Sequence, residues 1–128
     1  MSREGELVEC AFLMPLVRDS DRKRHRPSRW RALENALYGE FGGYSGPEPL
    51  HRVHRAAHPS LGEYESDVGL RVSDRSRRYI VAMLRERLDD LRQILRQAAN
   101  TFDQEAVYLS VAGRVEFVRG TEANGYLP

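Results

Sequence analysis

The sequence predicts an α+β domain, an antiparallel sheet carrying two helices on one face in a split βαβ arrangement. Two stretches repeat apolar residues at helical spacing, and short apolar runs with β-compatible residues precede each. The chain then ends on two alternating runs separated by Ala-Gly. A length of 128 residues suits one domain that buries its own core without a metal or disulfide clip. That domain is expected over residues 1–120, with 121–128 as a flexible polar tail.

Each element has its own signal. "ELVECAFLMPLV" (6–17) reads as a strand, with Pro15 turning its end towards an edge or bulge. In "PSRWRALENALYGEFGG", Trp30, Leu33, Leu37 and Phe41 form one helical stripe. Ser28 is the expected N-cap, and Gly42 and Gly43 the stop. Residues 44–69 hold glycines and prolines with no sustained period, and read as a long irregular insert. "RRYIVAML" (77–84) returns to strand composition. A second helix follows over about 86–101, with Leu88, Leu91, Leu95, Ala98 and Phe102 on its apolar side. Asp89 and Asp90 stand in its first turn and Arg92 and Arg96 further on, the order the helix dipole favours. "AVYLSV" and "RVEFV" then make a hairpin around Ala-Gly, a weaker turn signal than Asn-Gly.

This order is that of a ferredoxin-like sandwich with an extra C-terminal hairpin strand. On "FGGYSG" and "FDQEAVYLSVAG" the chain resembles small uncharacterised bacterial α+β proteins of that architecture. The resemblance covers about 90 residues, departs most over 46–62, and implies the fold.

Of the twenty basic residues nineteen are Arg, and the formal net charge is +1. The single cysteine, Cys10, excludes an intrachain disulfide and is expected to be a buried, inert thiol. No apolar run approaches the roughly 18 residues of a membrane span, and "MSREGELVE" is no signal peptide. A cytoplasmic protein with no membrane partner is expected. Walker A, GxGxxG, GxSxG and CxxC patterns are all missing, which removes the readily recognised enzymes.

Three constellations remain. His51, His54 and His58 stand at i, i+3, i+7, the spacing of one helical face. Pro47, Pro49 and Pro59 bracket them, and Arg52 and Arg55 stand among them, so no metal is expected there. Arg22, Arg24, Arg26 and Arg29 lie just before or at the start of the Trp30 helix, where guanidiniums and backbone N–H groups favour an anion. A pI of about 8.0 argues against a dedicated nucleic-acid binder, leaving an anionic small molecule or a protein as the expected partner. Finally, Glu105 lies where a helix passes into a strand, a position suited to a general base.

Two functions follow. The preferred one is a small non-enzymatic module, without cofactor, that forms a homodimer through the face of the sheet its helices leave bare. The alternative is a cofactor-free isomerase or hydrolase, with Glu105 and a histidine such as His54 as acid and base and Tyr64 and Asp74 beside them.

Overall fold

The computed structural model describes residues 6–50, 63–65, 71–73 and 75–128. Strand β1 (Leu7–Pro15) leads to helix α1 (Pro27–Phe41), and β2 (Ser45–Leu50) returns beside the sheet. Two short strands, β3 (Glu63–Glu65) and β4 (Arg71–Ser73), pair only with each other. Strand β5 (Ser76–Leu84) then leads through a 3₁₀ turn at Arg85–Arg87 into α2 (Leu88–Thr101). The hairpin β6 (Ala106–Val111) and β7 (Arg114–Arg119) completes the main sheet, whose order is β2-β5-β1-β6-β7. Every neighbouring pair is antiparallel. This is the ferredoxin-like α+β arrangement with β7 added at one edge.

Period-two alternation assigns the two faces. Val8, Cys10, Phe12 and Met14 of β1 are buried, as are Tyr79, Val81 and Met83 of β5 and Val107, Leu109 and Val111 of β6. Their register partners coincide, so they form one apolar surface under the helices. On it sit Trp30, Leu33 and Leu37 of α1 and Leu91, Ile94, Leu95, Ala98 and Ala99 of α2. The face on which a homodimer was expected carries Leu7 and Val115, 63% and 47% exposed in the single chain.

Four local expectations are corrected. The N-cap of α1 is Arg26, in extended backbone, and Pro27 takes the first helical position in place of a Ser28 cap. Proline there has its φ preset and no N–H to satisfy. Residues 45–50 form an edge strand within what reads as an irregular insert. Edge position tolerates Pro47 and Pro49, and the Arg78 guanidinium reaches Glu48 across the pair at 2.7 Å. Pro15 is the last residue of the central strand; β6 pairs only with Cys10–Leu13, so the proline lies past that ladder.

The fourth concerns residues 121–128, which are docked against α2. The Asn100 side-chain amide donates to the carbonyls of Thr121 and Gly125, and the Leu127 N–H donates to Thr101 Oγ1 at 2.8 Å. Leu127 itself joins the core. Gly120 makes this possible, because a Cβ there would collide with Asn100 and Ala99. The weak hairpin signal resolves in the same concrete way: Ala112 and Gly113 both adopt positive φ, 49° and 86°.

Among the described residues no helix is long and apolar enough to cross a membrane.

Candidate active site

The site begins where the charged turn after β1 folds back on the strand. Val17 and Arg24 form an isolated bridge, and the His25 N–H reaches the Leu16 carbonyl. That turn places His25 inside. Its Nε2 lies 3.0 Å from the Pro15 carbonyl, an acceptor, so the proton resides on Nε2. The ring packs edge-on to Phe102 and Trp30, with centroids at 4.7 and 5.5 Å. Burial holds the imidazole below its ordinary pKa, and the charges of Arg29 and Arg18 push the same way against the Pro15 hydrogen bond. His25 is therefore neutral at pH 7.

Trp30 connects this corner to the sheet. The Arg77 guanidinium lies over the indole at 4.1 Å, a cation–π contact that fixes the side chain. Its Nη1 is 3.9 Å from Glu34 Oε2. The same carboxylate oxygen accepts a 2.7 Å hydrogen bond from the Tyr79 hydroxyl. Tyr79 is fully buried, and burial, then Glu34, pushes its phenol well above the ordinary range. Tyr44 packs on its ring at 5.7 Å and is shifted in the same direction by burial and by Glu34. Both phenols thus stay protonated and serve as donors; neither is a base at neutral pH.

Above these groups opens a cavity of about 340 Å³. Leu16, Pro27, His25 and Trp30 line it, and Arg24, Arg31, Arg77 and Glu34 supply its charges. Three elements contribute those charges: the turn, one face of α1, and the start of β5. The volume falls within the range of small-molecule pockets, roughly 300–1,000 Å³. With three guanidiniums to one carboxylate, it can hold an anionic group at one end and a cationic one beside Glu34.

Of the residues singled out from sequence, Arg24 lies in this cavity. Arg26 is the exposed cap of α1, Arg29 is half-buried beside it, and Arg22 sits exposed in the turn at φ 61°. None of these three lines the cavity. Glu105 does not line it either: its side chain faces Arg119 at 3.4 Å, and its N–H donates to Asp19 Oδ2 at 2.7 Å. Gln104 beside it donates to the carbonyls of Val17 and Phe102. Tyr64 is the middle residue of β3, opposite Val72. His54 and Asp74, like His51 and His58, lie outside the described residues, so the convergence expected of them with Glu105 does too.

Sequence reading missed Arg31, Glu34 and Arg77. A signal existed for two of them: Glu34 stands one helical turn after Arg31, flanking the apolar stripe that begins at Trp30. For Arg77 there was none, because a strand's partner across the fold is invisible in local pattern.

No protein-family model matches the chain, and no curated protein does. A class is defined all the same: α+β domains whose two helices cover one face of a ferredoxin-like sheet. Among solved structures, a phage SAM lyase in complex with S-methyl-5'-thioadenosine shares this fold. The match has a TM-score of 0.61 at 15% identity, and spans 91% of this chain and 92% of the lyase. At that identity the likeness is one of fold. It nevertheless overturns the non-enzymatic reading, which rested on the bare sheet face and on the lack of any recognised catalytic signature. A domain of this same architecture and extent is an enzyme, so that lack no longer argues against catalysis.

Proposed function

We propose that this chain is a small enzyme acting on an adenosyl sulfonium of the S-adenosylmethionine type, in the manner of a lyase. The observation that carries the reading is the near end-to-end match of fold with a SAM lyase holding S-methyl-5'-thioadenosine. Releasing that thioether from S-adenosylmethionine breaks the bond between the sulfonium sulfur and the γ-carbon of the aminocarboxypropyl chain. The substrate's own carboxylate supplies the pair for a new C–O bond, and the chain departs as a lactone. Sulfur keeps the bonding pair, and its positive charge disappears. A reaction that disperses charge gains from a site with less water around it.

The geometry of the α1 corner supports the reading. Glu34, held by the Tyr79 hydroxyl and Arg77, is a fixed negative charge at the edge of a concave site. With one oxygen already accepting a hydrogen bond, it is better suited to hold an ammonium or sulfonium than to remove a proton. The carboxylate of this reading is thus Glu34, holding a cation, in place of the acid–base Glu105 of the alternative drawn from sequence.

Incubation with S-adenosylmethionine, followed by chromatography for S-methyl-5'-thioadenosine, tests the proposal. Turnover is expected, and Glu34→Gln should cut kcat/KM by about tenfold or more with the fold intact. No product, together with no calorimetric binding of either compound, would overturn it.

A further inference from the structure

The arginines around the cavity are arranged unlike those elsewhere on the molecule. Arg78, Arg87, Arg92 and Arg119 each meet a carboxylate: Glu48, Asp90, Glu116 and Glu105 in turn. Arg24 and Arg31 have no such partner among the described residues, yet both border the same concave space as Arg77. Arg77 is prepositioned by Trp30 and shares Glu34 with Tyr79. Among the described residues, three guanidiniums border the cavity with a single carboxylate. Charge of one sign, gathered over apolar walls such as Leu16, Pro27 and Trp30, raises the local concentration of the opposite sign. His25, part of the same wall, is more than nine-tenths buried, and its Nδ1 has no hydrogen-bond partner among the described residues.

We infer that the Arg24–Arg31–Arg77 side of the cavity is a binding site for the oxyanion group of a small ligand. The shared chemistry is that of carboxylate and phosphate, both matched by guanidinium forks. The concavity favours a small molecule over a polymer. Beside it, Asp21 of the turn and Asp103 from the α2–β6 connection meet Arg18 and would repel a phosphate backbone. The inference stands apart from the adenosyl reading, since an oxyanion is held here whether or not a sulfonium is the substrate.

The chain carries its own reporter, because Trp30 is its single tryptophan and lines the site. Pyrophosphate, inorganic phosphate and succinate are titrated separately at low salt, reading indole fluorescence and heat by calorimetry. A saturable response to at least one is expected, and the order of affinity distinguishes phosphate from carboxylate ligands. Arg24→Gln with Arg31→Gln should weaken binding about tenfold or more, as the loss of charge-assisted hydrogen bonds predicts. Arg119→Ala should leave it unchanged. Circular dichroism confirms that the exposed replacements leave the fold in place. No saturable response by either method, or equal affinity in the double variant, would overturn the inference. Anion binding with neither turnover of S-adenosylmethionine nor binding of it or of S-methyl-5'-thioadenosine would retire the proposed function and leave this site standing.

Discussion

The two helices rest on the same sheet, yet their surroundings differ in kind. Around α2 nearly every polar group is answered: Arg92 forks onto Glu116 and reaches Asp89, Asn100 holds two carbonyls, and Thr101 accepts from the chain end. Its buried side is a continuous run of Leu91, Ile94, Leu95, Ala98 and Ala99. Around α1 the buried side is shorter, Trp30, Leu33 and Leu37, and a cavity opens beside it. There a neutral histidine, two guanidiniums without a carboxylate partner among the described residues and a shared carboxylate stand together. One helix is spent on stability and the other on ligand chemistry. Polar groups left without partners mark the second kind of region.

Substitutions can break that comparison. Leu95→Ala, in the closed α2 core, should lose about 2–5 kcal/mol in denaturant unfolding. Gly120→Ala should cost about 1–3 kcal/mol, since its Cβ has no room against α2 and the docked chain end must shift. Hydrogen exchange should then show loss of protection over 121–127. If Gly120→Ala is neutral, the seal on the α2 side is looser than its contacts imply.

The α1 side should respond to pH instead. His25 has its folded pKa depressed below the unfolded value of about 6.5. Its contribution is complete above that value. It is lost as pH falls through 6.5 towards the folded pKa, because the unfolded chain takes up the proton first. Stability curves between pH 7.5 and pH 5, both set about the His value, should fall at the acid end. His25→Gln should flatten that component. An unchanged slope in the variant would assign the acid limb to other groups.

A smaller gain is expected in the hairpin. Ala112 sits at φ 49°, a conformation asparagine tolerates better, so Ala112→Asn should add about 0.5–1 kcal/mol in thermal unfolding. Smallest of all, Arg24→Gln and Arg31→Gln should alter stability by less than about 0.5 kcal/mol while removing anion binding. A large destabilisation there would make those arginines structural and erase the distinction between the two helices.

How much of this was legible follows from the range of each interaction. Both helices and four of the main strands announce themselves by apolar period, because burial against one layer imposes that period locally. Strand β2 does not: "SGPEPL" has turn composition and becomes a strand only because β5 offers it an open edge. The docked chain end was invisible for a similar reason, since its anchors, Asn100 and Thr101, lie on another element. At the candidate site the sequence raised the expectation of an anion at the start of α1 and named Arg24, which borders the cavity. It did not name Arg77, which reaches Trp30 from the start of β5, on the face that the helices cover. Glu105 drew attention by its position at a helix-to-strand passage, and the structure occupies it with Arg119.

The central place of β1 has a consequence for how the chain is born. The strand pairs Leu7 with Leu84 on one side and Cys10 with Val111 on the other. Both partners lie far downstream, so β1 is synthesised long before it can be enclosed. At elongation rates of about 5–20 residues per second, "VECAFLM" waits roughly 5–20 s for its second neighbour. During that interval it is an unpaired, sticky ribbon. Slowing translation between β5 and β6 should lower the yield of folded protein.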